Sequence, residues 1–190
     1  GVTVAATGVT NGLALNNNAL LGLLTTTLHQ TGTTGIAGSI DWAFSANDAS
    51  FDYLGLGEKL ILTYTLTVAD AQGANDHQTV TVTVTGTNDK PTIDTGPANV
   101  AFTEQAGQTG SNTPPMTAHG ALAFTDVDVS ENSHQLGVTV AATGVTGGLA
   151  LNNNALLGLL TTTLHQTGAT GIAGSIDWAF SANDTSFDYL

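Results

Sequence analysis

The opening of this chain is written twice. Gly1–Leu54 recurs as Gly137–Leu190 at an offset of 136 residues, identical at 51 of 54 positions and differing only where Asn11 becomes Gly147, Thr33 becomes Ala169 and Ala49 becomes Thr185. A repeat with a period close to one domain is the mark of a tandem array, in which each unit packs mainly within itself and against its neighbours. The chain is therefore expected to open partway into one copy and to run partway into the next. Residues 1–89 then form the C-terminal portion of one repeat and residues 90–190 the N-terminal portion of the following one. Such an array suits extension and display better than catalysis at a single centre.

The composition selects the fold class. Hydrophobic residues make up 41% of the chain, but only 6% is aromatic and 9% charged. The balance is rich in Thr, Val, Gly and Asn, which suits half-buried pleated surfaces better than helix bundles. An all-β fold follows, and the many short strands split by Gly- and Asn-rich turns point to sandwiches. With no cysteine, neither disulfides nor thiolate metal sites can hold the chain, so stability must come from core burial, with oxygen-ligated ions the remaining option for a cross-link.

Periodicity places the strands. Lys59–Val68 and Gln78–Gly86 alternate strictly between apolar and polar residues, which is the pattern of half-buried strands. The Gly, Asn and Asp residues of 69–77 make the pair an antiparallel hairpin with a long turn, Val80, Val82 and Val84 facing the core and the intervening Thr facing water. Leu23–Gln30 has helix-like leucine spacing, but three consecutive β-branched Thr, bracketed by Gly22 and Gly32, make it a strand. Gly38–Ser45 sets Ile40, Trp42 and Phe44 on one face of another, with Trp42 read as packing. Asp48 or Ser50 would cap one helical turn before Leu54. Val100–Phe102, Ala121–Phe124, Gly137–Ala142 and Leu149–Leu151 read as short strands.

Charge narrows the partners. Fifteen acidic residues face two lysines, Lys59 and Lys90, for a formal charge of −13. Nucleic acid and anionic membranes would be repelled, whereas hard divalent cations are natural partners of dispersed carboxylates. The longest purely apolar and Gly stretch, Ala19–Leu24, is far below the roughly 20 residues that cross a bilayer. This segment contains neither a membrane anchor nor a signal peptide, although either could lie outside it.

Oxygen donors concentrate where the two portions join. Gly86-Thr87-Asn88-Asp89-Lys90-Pro91 ends the second hairpin strand, and Pro91 stiffens the crossing. Asp126 and Asp128 stand two apart, so an extended backbone projects both carboxylates to one side. Calcium needs roughly six to eight oxygens, and Asn88, Asp89 and Glu104 could add to that pair if the strand ends converge. The join is expected to hold Ca2+ on Asn88, Asp89, Glu104, Asp126 and Asp128, with Asp70 and Asp76 in the hairpin turn as a second candidate. The alternative is that these acids are solvated or cap turns.

Phe51-Asp52-Tyr53-Leu54-Gly55-Leu56-Gly57-Glu58, the alternating Leu62–Val68, the Asp70 turn, Gln78–Asp89 and Phe124-Thr125-Asp126-Val127-Asp128 together resemble VCBS repeats of bacterial surface proteins. That resemblance implies immunoglobulin- or cadherin-like antiparallel sandwiches strung in large secreted adhesins of the RTX type, often calcium-dependent, at the extracellular cell surface or in biofilm. Asn88-Asp89-Lys90-Pro91 is similar to the interdomain calcium motif of cadherins, but Lys90 stands where that motif has a further Asn, a cation in place of an oxygen donor.

Other chemistry fails at the motif level. Asp126-Val127-Asp128-Val129-Ser130 starts like an EF-hand loop, but Glu131 replaces the required Gly and Gly137 the terminal Glu. His29, His77, His119, His134 and His165 form no His-Glu-x-x-His and no close pair, and there is no nucleophile elbow or phosphate loop. The chain is not expected to be an enzyme. Its partners are neighbouring repeats of the array, with two alternatives: copies that associate in a fibre or matrix by exchanging strands across open sheet edges, or a glycan bound by the repeats.

Overall fold

The residues with the strictest alternation form two neighbouring strands of one three-stranded sheet. The computed structural model describes residues 1–30, 37–96, 98–104, 115–166 and 173–190; Gly32, Thr33 and Ala169 lie outside the described residues. The chain divides into two units, Gly1–Asp89 with Val127–Ser130, and Lys90–Asp126 with Glu131–Leu190.

The first unit contains β1 (Val2–Gly8), α1 (Asn17–Gly22), β2 (Leu24–Gln30), β3 (Gly38–Phe44), β4 (Lys59–Ala69) and β5 (Asn75–Thr85). β1, β4 and β5 form one antiparallel sheet, and β2 and β3 a second. Along β4 the even-numbered Leu60, Leu62, Tyr64 and Leu66 are buried while the odd-numbered side chains are less so, as a period of two requires. Val80, Val82 and Val84 of β5 pack on the same core, and Leu20, Leu24, Phe51 and Leu54 enter it from the other elements. The hairpin turn is tighter than 69–77, because Asp70 Oδ1 accepts from the backbone N–H groups of Gln72 and Ala74, both at 2.9 Å. This is an Asx-type closure that lets β5 start at Asn75.

Two local features depart from the sequence reading. Asn17–Gly22 forms a helix, α1, because Asn16 caps it by accepting from Ala19 N at 3.0 Å, which satisfies a donor that a short helix otherwise leaves orphaned. The turn before Phe51 is a single 3-10 turn, Asp48–Ser50, capped by Asn47 rather than by Asp48 or Ser50.

The second unit contains β6 (Thr92–Ile93), β7 (Met116–Thr125), α2 (Asn153–Leu157), β8 (Leu160–Gln166) and β9 (Ala173–Ala182), its strands forming one antiparallel sheet of order β6-β7-β9-β8. Its β8–β9 pairing, Leu160↔Phe180 to Gln166↔Gly174, repeats the β2–β3 register Leu24↔Phe44 to Gln30↔Gly38. The expected strand at Ala121–Phe124 lies inside β7, whereas Val100–Phe102 and Leu149–Leu151 are not strands.

The copies differ most where they are identical in sequence. Val-Thr-Val-Ala-Ala-Thr-Gly is β1 in the first unit, paired with β4 from Val2↔Leu66 to Gly8↔Leu60. The same seven residues at Val138–Gly144 form no strand, so the expectation of a strand at Gly137–Ala142 is not met. An extended segment needs a ladder partner for its N–H and C=O groups, and in the first copy β4 supplies one. Trp42 tells the converse story. In the second unit, Trp178 lies over Gly120, its cross-strand partner on β7. Among the described residues β3 pairs only with β2, and Trp42 is 52% exposed, although it shares a strand face with Ile40 and Phe44 as expected.

Candidate metal-binding acid clusters

In the first unit the chain just past β5 meets the 3-10 turn. Asp48, Asp52 and Asp89 line one small cavity of about 90 Å3, with Thr85 and Thr87 beside them. Asp128 belongs to the same unit. Its carboxylate is fully buried and its Oδ2 accepts from Asp89 N at 2.9 Å. The segment carrying Asp128 is held by Val129 N donating to Tyr53 O at 3.2 Å, and the Tyr53 hydroxyl donates to Val9 O at 2.9 Å. Desolvation, and secondarily the negative charge of Glu58, raise the Tyr53 pKa, so this phenol stays protonated and continues to donate. Close by, Glu58 Oε2 accepts from Gly55 N at 2.9 Å.

Gly86 is required at this junction. A Cβ there would run into the carbonyls of Leu54 and Gly55, so only Gly lets the end of β5 pass close enough to bring Asp89 toward the turn.

The second unit gathers two further sets. Carboxylate oxygens of Glu104, Asp184 and Asp188 lie within 4.8 Å of one another. Asp184 and Asp188 are the counterparts of Asp48 and Asp52, and Asp184 is buried where Asp48 is exposed. Asp126, Glu131 and His134 form the other set. His134 Nε2 stands 3.0 Å from the buried Asp126 Oδ2, and its backbone N–H donates to Gln166 Oε1 at 3.1 Å. The hydrogen bond to Asp126 raises the His134 pKa, with Gln166 and the charges of Asp126 and Glu131 adding to it against the opposing effect of burial.

The five acids and amides expected at the join thus fall into three neighbourhoods. Asp89 and Asp128 come together, Asp126 is engaged by His134, and Glu104 meets Asp184 and Asp188. Asn88 is exposed and its side-chain nitrogen donates to Asp89 O at 2.8 Å. In the hairpin turn, Asp70 closes the turn and Asp76 Oδ1 accepts from His77 N at 2.8 Å.

Sequence reasoning passed over Asp48, Asp52, Asp184, Asp188 and His134. The available signal was the repeated Asn-Asp-x-Ser-Phe-Asp, which sets two carboxylates four residues apart across one turn in each copy. Two other histidines pair with exposed aspartates, His29 with Asp41 and His165 with Asp177, each at 3.0 Å; exposed pairs of this kind contribute little.

No family model, curated protein or solved structure matches the chain.

Proposed function

We propose that this chain is a length of tandem β-sandwich repeats serving as an extender in a large secreted adhesin at the bacterial cell surface, with Ca2+ bracing its acidic clusters. The observation that carries the reading is recurrence: two aspartates from an all but identical turn stand beside further carboxylates in both copies, in a chain carrying −13 with two lysines.

The donor sets suit the ion. Asp48, Asp52 and Asp89, which line one cavity in the first unit, and Glu104, Asp184 and Asp188 in the second, offer only oxygens, the ligand type of a hard cation. Asp126, Glu131 and His134 include a nitrogen and suit calcium less well. Bound Ca2+ would neutralise like charges that otherwise repel, and would tie the turn before Phe51 to the chain leaving β5. The recurrence of the β2–β3 pairing as β8–β9 and of the same acidic turn in both copies supports an extender.

Calorimetric calcium titration, with melting in calcium and in chelator, tests the reading. A saturable site on the order of micromolar to millimolar, lost in Asp48→Asn/Asp52→Asn and Asp184→Asn/Asp188→Asn together, is the expected result. At a hundredfold excess over Kd such a site adds about 2.7 kcal/mol of stability. Heat and melting curves indifferent to calcium would remove the ion from the proposal.

A further inference from the structure

The turn that leads from β1 to α1 is built alike in both copies, and one of the three substitutions falls inside it. In the first copy Leu13 N donates to Thr10 O at 3.1 Å, and in the second Leu149 N donates to Thr146 O at 3.1 Å. The third residue of each turn is a glycine at positive φ, +93° at Gly12 and +110° at Gly148, and a Cβ in either place would run into a tyrosine side chain, Tyr53 or Tyr189. Asn11 has a negative φ, so Thr10–Leu13 is a type II turn, whose third position favours glycine. The fold therefore demands Gly12 but not the residue before it, which is Asn11 in one copy and Gly147 in the other. The outcome is the chain's single Asn-Gly sequence. Both residues are exposed, and among the described residues nothing accepts from the Gly12 N–H.

We propose that Asn11-Gly12 is a self-modification site, at which the first copy slowly converts an amide to an acid while the second copy is exempt. The inference is independent of the adhesin reading and of calcium. Glycine carries no side chain to shield its backbone nitrogen. On losing its proton to hydroxide, Gly12 N attacks Asn11 Cγ, a five-membered succinimide closes, and the side-chain nitrogen leaves as ammonia. Water then opens the imide. Addition at the former side-chain carbonyl gives an ordinary aspartyl residue; addition at the main-chain carbonyl gives an isoaspartyl residue, whose backbone runs through the side chain and is longer by one carbon. The balance is asparagine plus water to acid plus ammonia, and it adds a negative charge to a chain already at −13. A type II turn sets ψ of its second residue at about +120°, which points Gly12 N away from Cγ, so attack waits for the turn to open. One backbone hydrogen bond resists that opening, a slowing of about tenfold. The product matters because Gly12 is wedged in place: a Cβ there would lie 2.8 Å from the Tyr53 ring and 2.9 Å from Val129 Cγ1. Tyr53 bonds Val9 O through its hydroxyl and Val129 N through its carbonyl. An extra backbone carbon beside Gly12 therefore loosens this packing, in the first unit alone.

The test ages the full chain in chelator at mildly alkaline pH, folded and in urea, and follows it by peptide mass spectrometry, isoaspartyl methyltransferase labelling and ammonia release. The amide-to-acid mass increment is expected at Asn11 in the folded chain, within about tenfold of its rate in urea, as a mixture of aspartyl and isoaspartyl forms with ammonia in equal amount. Asn11→Gly, the residue that the other copy carries in this turn, should end the reaction and leave melting of both units unchanged. The isoaspartyl fraction, isolated by chromatography, should melt lower in the first unit, followed at Trp42, and the same in the second, followed at Trp178. Asn11→Asp, which keeps the backbone length, should leave both in place. A folded chain still amidated at Asn11 once the chain in urea has converted, conversion no faster there than at Asn16, Asn17 or Asn18, or an isoaspartyl fraction that melts like fresh chain would overturn the proposal.

Discussion

Removing one oxygen atom, in Tyr64→Phe, isolates the contact that ties α1 to β4. Tyr64 is fully buried, which raises its pKa by desolvation, and its hydroxyl donates to Leu20 O at 2.8 Å. Leu20 O also accepts from Leu23 N at 3.2 Å, so the mutation does not orphan the carbonyl. The loss is then that of an ordinary internal hydrogen bond, about 1 kcal/mol, rather than the larger penalty of a stranded buried acceptor. For a unit of this size that lowers Tm by roughly 4–8 °C. The assay is built in, because the only two tryptophans report separate units: Trp42 follows the first and Trp178 the second. In single-tryptophan variants the drop should appear in the Trp42 transition alone. An equal fall in both transitions, or none in either, would refute the account of where the contact acts.

Leu62→Ala removes a fully buried leucine from the same core and should cost about 2–5 kcal/mol, enough to eliminate the Trp42 transition in mild denaturant while Trp178 still reports folding. His134 gives a pH signature. Its folded pKa lies above the unfolded value near 6.5, so its contribution is complete below that value and is lost as pH rises through the folded pKa; the Trp178 transition should melt higher at about pH 6 than at about pH 8, and His134→Gln should flatten that difference. Gly120→Val would place a side chain into the Trp178 ring, where a Cβ already approaches to within 2.8 Å; displacement of the indole, read as a red-shifted Trp178 emission, is expected. Asp70→Ala deletes two turn hydrogen bonds and should lower the Trp42 transition by about 1 kcal/mol.

What the sequence made legible follows how local each cause is. Alternation in 59–86 specified a hairpin because both strands and their turn are contiguous, and the Thr-rich 23–30 specified a strand because β-branching acts on the residue itself. Helix α1 stayed hidden since its decisive feature is one Asn side chain turned back on Ala19 N, in a run of three asparagines that reads equally as loop. The strand expected at Gly137–Ala142 failed for the opposite reason. Its pattern is sound, and in the first copy it is a strand, but strand formation there is a property of β4 as much as of the segment. The acids were hardest. Asp48 and Ser50 read as capping residues, and only the close pass of Gly86 reveals that the turn sits beside Asp89; Glu104 meets Asp184 and Asp188 across about eighty residues of chain, a separation that no local spacing can convey.

The pairing of β1 with β4 also sets a timetable. Val2 meets Leu66 and Gly8 meets Leu60, so β1 cannot zip until a hairpin more than fifty residues further on has been made. Contacts this distant bear their loop-closure entropy before they return any energy, which places such sheets among slow folders, on the order of milliseconds to seconds. A ribosome delivers the hairpin after β1 by seconds at about 5–20 residues per second. During that interval β1 is an unclaimed valine-rich segment, and the chain's formal charge of −13 opposes its association with like-charged chains.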